Sequence, residues 1–445
     1  MKKRLSALLL LLVMSFNILA TSCSFVGGSG AGSGGNSSDG GNGSGNGGGS
    51  LDGNSQGNSS GAVASEFSDM REKLEYALSE ALKKIDYAMP QFTNGKFPSN
   101  NSTGNVYEAV SNTSGWTTGF WSGILWHAYE LTGERKYRDA ANSTVDSFYI
   151  RIRDQIGVTT HDMGFLYMPS CVAAYELNGN ALGKEAAIMA ADHLITRYHE
   201  ESEFIQAWGN VGADDNYRLI IDCLMNLSLL YWASEETGDS KYREIGYNHF
   251  KTTLEVCYRE DGSSYHTYYF DKDTGEPLYG ATHQGVSDES AWARGQAWGM
   301  YGPLLTYLYI KDEDAMKTFL KATDYYLNYL PEDYVAYWDL TFTKGDEPRD
   351  SSSAAIALCA MLEGIKYMDE SDPRRERYIT ACKNIMNSLI DNYISKDVPE
   401  ANGLLLHGTF HKPYNSGVDE MTMWGDYFYM EALHRMLDPE WELYW

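Results

Sequence analysis

The chain has 445 residues, 43% apolar and 22% charged, a globular composition long enough to bury a large core. Its formal net charge is −26, which argues against a nucleic-acid partner, since that requires a basic footprint. An acidic small substrate remains compatible, provided a local basic cluster meets it. Residues 1–23 read as a lipoprotein-type signal peptide. Lys2, Lys3 and Arg4 precede an apolar run over 8–19 that is too short to span a membrane comfortably. Ala20-Thr21-Ser22-Cys23 then sets small residues directly before a cysteine. The expectation is lipid attachment at Cys23 and an exported protein, membrane-anchored and facing the periplasm or cell exterior; ordinary signal cleavage nearby is the alternative. Residues 24–62 are almost entirely Gly, Ser and Asn, with too little apolar surface to fold, and read as a flexible tether.

Residues 63–445 read as one helical catalytic domain. Apolar residues recur at three- and four-residue spacing over 67–85, 119–131, 163–177, 184–198, 216–235, 241–257, 291–310, 314–329, 352–368, 376–394 and 423–437. Residues 265–270 are the best candidate for a short strand. A degenerate turn recurs between the helices. Thr132-Gly133-Glu134 precedes Lys136-Tyr137-Arg138, Asn178-Gly179-Asn180 stands in a similar place, and Thr237-Gly238-Asp239 precedes Lys241-Tyr242-Arg243. Residues 310–313 and 368–371 are looser echoes. Each marks a helix end, a Gly or acidic turn and a new helix start. With a first and a closing helix they make six hairpins, and six hairpins closing on themselves give an all-α (α/α)6 barrel. A plain solenoid would need polar capping repeats, which the pattern lacks.

Six cysteines, Cys23, Cys171, Cys223, Cys257, Cys359 and Cys382, show no CxxC and no Cys/His metal spacing. They read as small buried hydrophobes, and export leaves room for one disulfide. No nucleophile elbow, P-loop, HExxH or calcium loop is present, so neither metal nor organic cofactor is expected.

Two carboxylates carry the candidate chemistry. Asp162 follows His161 and opens a helical segment, where it reads either as an N-cap or as an acid at a pocket mouth. Asp222 lies in Tyr217-Arg218-Leu219-Ile220-Ile221-Asp222-Cys223-Leu224, which the pattern places inside a buried helix. There it reads either as paired with Arg218, one turn earlier, or as an acid/base whose pKa burial raises. Trp116, Trp208 and Trp298 are candidate sugar-stacking rings, with core packing the bland alternative for each. Arg294 and Trp298 share a helix face at i, i+4. His161, His266 and Arg294 could together supply positive charge to an anion, and Gln284, beside His283, adds a polar contact.

These motifs, in this order, resemble glycoside hydrolase family 88, the unsaturated glucuronyl hydrolases. The resemblance is carried by Gly115-Trp116-Thr117-Thr118-Gly119-Phe120-Trp121, His161-Asp162-Met163-Gly164-Phe165, Gln206-Ala207-Trp208, Ile220-Ile221-Asp222-Cys223, 288–298 and Trp424-Gly425-Asp426-Tyr427. It implies an (α/α)6 barrel and substrates with a non-reducing-end 4,5-unsaturated uronic acid, such as glycosaminoglycan disaccharides. It implies protonation of C4 of the vinyl ether and addition of water at C5, giving a hemiketal that opens and releases the aglycone. Asp222 then corresponds to the general acid/base and Asp162 to its partner. Trp116, His161, Trp208, His266, Gln284, Arg294 and Trp298 correspond to sugar contacts, those of His266 and Gln284 by position only. Rival expectations are an unsaturated rhamnogalacturonyl hydrolase of family 105, an inverting glucanase on the same fold, and a sugar-binding lipoprotein without turnover. The loop 411–417 is the expected place where the aglycone is chosen.

Overall fold

The computed structural model describes residues 66–445; the signal, Cys23 and the whole of the tether lie outside them. In chain order the helices are α1 (Arg71–Ala88), α2 (Thr118–Thr132), α3 (Arg135–Ser143), α4 (Val145–Arg153), α5 (Met163–Tyr167), α6 (Ala173–Asn178) and α7 (Ala181–Ile195). They continue as α8 (Cys223–Thr237), α9 (Ser240–Cys257), α10 (Ala293–Ile310), α11 (Glu313–Asn328), α12 (Ser351–Gly364), α13 (Pro373–Ser388) and α14 (Met423–Leu437). The segments α2, α5–α6, α8, α10, α12 and α14 form an inner ring in which each packs on the next, and α14 closes it against α2. The remaining helices lie outside, giving the expected (α/α)6 barrel.

The two layers differ in sequence as their surroundings require. Outer α11 buries Ala315, Met316, Phe319, Ala322, Thr323 and Tyr326, a single stripe. Inner α12 is buried at every position from Ser351 to Gly364, so small and apolar residues surround it. Pro169, which has no N–H to give, falls in a π-type turn at Met168–Val172 that separates α5 from α6; the pattern over 163–177 is therefore two short helices.

The recurring turn is the joint from inner to outer helix. Gly133, Gly179, Gly238 and Lys311 close α2, α6, α8 and α10 in the left-handed region, with φ of 70°, 65°, 74° and 61°. The next helix is then capped by its own side chain: Asn180 accepts from Gly183 N, Asp239 from Lys241 N, Asp312 from Asp314 N and Asp372 from Arg374 N. At the other end the connections are long and carry short antiparallel ribbons. These are β1 (Lys96–Pro98) with β2 (Ala109–Ser111), and β3 (Tyr198–His199) with β4 (Phe204–Ile205). A sheet of β5 (Arg218–Ile220), β6 (Thr267–Phe270) and β7 (Pro277–Ala281) follows, then a hairpin of β8 (Gly408–His411) and β9 (Ser416–Glu420).

Between inner helices α10, α12 and α14 lies a buried ionic network. Arg435 donates to Glu431 at 3.0 Å, to Glu363 at 2.5 Å and to the Tyr301 hydroxyl at 2.6 Å. Trp445 stacks on Phe428 and donates its indole N–H to Glu431. The five described cysteines are buried free thiols, and among the described residues no helix is long and apolar enough to cross a membrane.

Candidate active site

Because every long connection runs from an outer to an inner helix, the inner helices turn their N-termini toward one end of the ring. The site residues gather there: Trp116 before α2, Asp162 before α5, Asp222 before α8, Arg294 in the first turn of α10, Asp350 before α12 and Trp424 in the first turn of α14. Free N–H groups and aligned peptide dipoles at such ends favour negative charge.

At the centre His161 stands between the two aspartates. Its Nε2 is 3.2 Å from Asp222 Oδ1 and 3.5 Å from Asp162 Oδ1. Neither contact is an aligned hydrogen bond, and both His161 ring nitrogens and Asp222 Oδ1 are buried without a hydrogen-bond partner. The strand-like segment from Thr160 to His161 is held against Ala207 and Trp208, where His161 N donates to Ala207 O at 2.9 Å. The Asp162 side chain is 7% exposed and that of Asp222 18%, so Asp222 is the one open to the cleft. Burial, reinforced by the Asp222 charge and opposed by His161, pushes Asp162 up to about 6. Burial disfavours a charged His161, but Cys223, Asp162 and Asp222 outweigh it and hold the imidazole well above its ordinary value.

The expected setting of Asp222 is corrected here. The helical pattern over 216–235 resolves into β5, a two-residue step and α8, and Asp222 occupies the N-cap position of α8 without capping it. The strand wins because Leu219 pairs across to Tyr268 and Ile220 to Thr267, partners too distant in sequence for a local pattern to register. Arg218 is consequently on a strand, and its guanidinium turns to Tyr269, His283 and Asn216 instead of Asp222. Asp162 likewise sits at a helix N-cap position with its carboxylate free of the cap role.

The aromatic residues divide. Trp116 stacks on Trp424 at 4.8 Å between centroids and tilts against Phe165 at 5.2 Å; it is half-buried, as is Trp208. Trp298 is fully buried against Phe165 and Phe428, beneath the ring that Trp116 contacts, and so supports the site from the core. Its neighbour Arg294 is also committed internally. It pairs with Asp350 at 3.1 Å, donates to the carbonyls of Thr409 and Phe410, and donates to Gln284 Oε1 at 2.7 Å. Its guanidinium carbon lies 4.5 Å from the Trp292 ring centroid and 4.7 Å from that of Trp424. Arg294 thereby ties the base of the β8–β9 hairpin to Gln284. His266 is buried, with Nδ1 accepting from His283 N and Nε2 without a partner. Burial, and then the neighbouring His283, Arg218, Arg294 and His411, keep it well below its ordinary value, hence neutral.

Trp424 and Asp350 are site residues that sequence reasoning did not single out; Trp424 lay in a quoted motif, and Asp350 shows only as an Asp before a Ser-rich helix start. His161, Asp162 and Asp222 bring three ligand-type atoms within 4.8 Å of one another. The cluster stands beside aromatic faces and at converging helix N-termini. A separate cavity of about 540 Å³ between α9 and α11, lined by Lys251, Glu255, Arg259, Asp314 and Lys321, contains none of these residues.

The geometry can be set beside known proteins. The family model described as Glycosyl Hydrolase Family 88 matches residues 90–436. The chain is 47% identical to the unsaturated chondroitin disaccharide hydrolase of Streptococcus agalactiae, over 84% of this chain and 93% of that one. It is 43% identical to the unsaturated glucuronyl hydrolase of Bacillus sp. GL1, over 77% and 91%. The crystal structure of the S. agalactiae unsaturated glucuronyl hydrolase superposes with a TM-score of 0.82 at 45% identity, covering 88% of this chain and 98% of that one. An Asp-to-Asn variant of the same enzyme, complexed with dGlcA-GalNAc6S, superposes at 0.76 with 43% identity, covering 86% and 97%. With its barrel, its ordered motifs and a match over most of its length, the chain belongs to glycosyl hydrolase family 88.

Proposed function

We propose that the protein is an unsaturated glucuronyl hydrolase, which takes oligosaccharides ending in a 4,5-unsaturated uronic acid and releases the aglycone by hydrating the C4=C5 bond. The observation that carries the mechanism is His161 held between Asp162 and Asp222, with Asp222 alone of the two open to the cleft. In this reading Asp222 delivers a proton to C4 and takes one from the water that adds to C5. Atoms balance: hydrogen goes to C4 and hydroxyl to C5, and the resulting hemiketal opens with loss of the aglycone. A proton must be stored close by at working pH, and Asp162, pushed up to about 6, supplies that store. His161, as imidazolium, keeps the two carboxylates together against their repulsion. Two solved variants of the S. agalactiae enzyme replace aspartates whose separation in sequence equals that of Asp162 and Asp222, which supports assigning both to the chemistry. The carboxylate-separation rule for retaining and inverting enzymes does not apply, since nothing is displaced at the anomeric carbon.

In the same reading the half-buried Trp116 and Trp208 present ring faces to the sugar, while His266 and Gln284 offer polar edges. Arg294 and Trp298 act from behind, the first by fixing Gln284 and the β8–β9 hairpin, the second by supporting Phe165. The hairpin tip, where Tyr414 stacks on His411 and is 77% exposed, is our candidate for choosing the aglycone. The lipobox-like Ala20-Thr21-Ser22-Cys23 and the Gly/Ser/Asn tether support export with a lipid anchor at Cys23. Globomycin-sensitive processing and fatty-acid labelling lost in Cys23→Ala would test the anchor.

The deciding experiment follows the absorbance of the unsaturated uronate in lyase-generated chondroitin disaccharides. Loss of absorbance with the wild type and none with Asp222→Asn is expected. Turnover of saturated oligosaccharides with no loss of the vinyl-ether signal would overturn the hydration mechanism.

A further inference from the structure

We propose that His127, Glu130 and His434 form a binding site for a divalent transition-metal ion of the zinc class, which clips the last inner helix of the ring to the first. The inference is independent of the hydrolase reading. His127 and Glu130 stand three residues apart in the last two turns of α2 and so share a face, and His434 meets them from the last turn of α14. The two imidazoles approach through their Nδ1 atoms at 3.0 Å, and one ligand atom from each of the three residues lies within 4.8 Å of the other two. Positions 127 and 434 are 307 residues apart, so no sequence spacing announces them as a ligand set.

A hydrogen bond accounts for only part of this arrangement. Between two Nδ1 atoms in such contact only one hydrogen fits, so at least one of them presents a lone pair to its neighbour. An ion bonded to both at about 2.0–2.1 Å needs nitrogens about 3.3 Å apart at the tetrahedral angle, an opening of roughly a few tenths of an ångström, and Glu130 supplies the third ligand. Two imidazoles and a carboxylate suit zinc better than calcium or magnesium, with water in the fourth position. The surroundings are those of a held ligand set. The Tyr444 hydroxyl lies 3.4 Å from His127 Nε2, where it takes the N–H of that nitrogen and leaves Nδ1 as the ligand atom. Trp441 donates its indole N–H to Glu130 Oε2 at 3.2 Å and so orients the carboxylate. Both histidines are buried under the Trp441 ring, whereas Glu130 is half-buried, so an ion enters past its carboxylate. The neighbouring Arg435 guanidinium is already paired with Glu431 and Glu363.

The inner helices turn their N-termini to the cleft, so this site, near the C-terminal ends of α2 and α14, lies toward the opposite end of the ring. The ion holds the closing seam shut and acts on stability, leaving turnover below the melting transition as it was. The test strips the purified protein with a chelator, adds zinc, and reads bound zinc per chain by elemental mass spectrometry together with the melting temperature before and after. The wild type is expected to retain one equivalent and to gain several degrees. Glu130→Gln keeps an acceptor for Trp441 but removes the charge, and should bind at least about tenfold more weakly. His434→Gln should lose both the equivalent and the gain. Asp222→Asn should keep both, because the second cluster of a histidine and carboxylates, beside the cleft, is not the one filled. A wild type that retains no zinc, retention without a gain in melting temperature, or equal affinity in the wild type and Glu130→Gln overturns the inference. If His434→Gln does not fold, the affinity of Glu130→Gln decides.

Discussion

Phe165 donates its backbone N–H to the side chain of Asn226 at 2.9 Å, and Asn226 in turn donates to the carbonyl of Asp222 at 3.1 Å. One amide thus joins the first turn of α5 to the first turn of α8 and sets the spacing of the two aspartates. The helices can approach this closely because residue 164 is glycine: a Cβ there would stand 2.5 Å from Asn226 Cα. Asn226→Ala leaves a buried N–H unpaired, at about 1–3 kcal/mol. We expect a lower melting temperature and a kcat reduced at least about tenfold, because the aspartates lose their register. Full kcat in a folded Asn226→Ala protein would show that the spacing is set elsewhere.

Activity should decline as pH rises through about 6. Asp162 is raised to about 6 by burial, so its protonated form exists below that value and is lost above it. If the stored proton feeds C4, kcat/KM against pH has its alkaline limb there. A flat profile from pH 5 to 8 would remove Asp162 from the proton path.

Asp426 gives a separate pH effect, on stability. Its Oδ1 accepts from Leu405 N at 2.8 Å and its Oδ2 from the Tyr107 hydroxyl at 3.1 Å, and burial pushes the carboxyl up to about 7. The sign is opposite to that of a salt-bridged aspartate. The folded state favours the proton, so this group stabilises most below its unfolded value near 4, and progressively less up to about 7. Asp426→Asn imitates the protonated form. Its melting temperature should fall less between pH 5 and 8 than that of the wild type; parallel curves would contradict the assignment.

Arg435 neutralises Glu431 and Glu363 inside the ring. Replacement by Met strands the buried Glu431 carboxylate and leaves Glu363 with Lys366 alone as its cation, a loss on the order of 3–5 kcal/mol. Thermal unfolding of Arg435→Met should show it as a shift of many degrees, or as failure to accumulate folded protein. A melting temperature within a degree or two of wild type would mean the network is not coupled to folding.

Chelation should leave turnover unaffected. A cation and the proton of the proposed hydration would compete for the same His161 nitrogen and aspartate oxygens, and that reaction needs the proton there. Loss of activity with EDTA, restored by one metal, would reverse that view.

Much of this was legible in the sequence because its signals are local. A left-handed glycine followed by a side-chain N-cap announces the hairpin at Gly238-Asp239, and near-identical turns announce the ring. The acid pair was legible as two aspartates in recognisable motifs. Their setting was not. Leu219 and Ile220 are strand residues only because Tyr268 and Thr267 arrive beside them, and the same letters read locally as the start of a buried helix. Trp298 and Arg294 share a face, as their spacing requires, yet one is in the core and the other is consumed by Asp350 and the β8–β9 carbonyls. Nothing within one helix encodes that.

The closure of α14 against α2 bears on how the protein comes to be active. The His127–His434 and Tyr107–Asp426 contacts join positions 307 and 319 residues apart. Contacts of such sequence separation form late, after most of the loop-closure entropy has been met. Since the catalytic cleft draws on every inner segment of the ring, no partial assembly of hairpins contains it. Enzymatic turnover therefore reports completion of the last folding step, and refolding followed by activity should lag behind refolding followed by helix content.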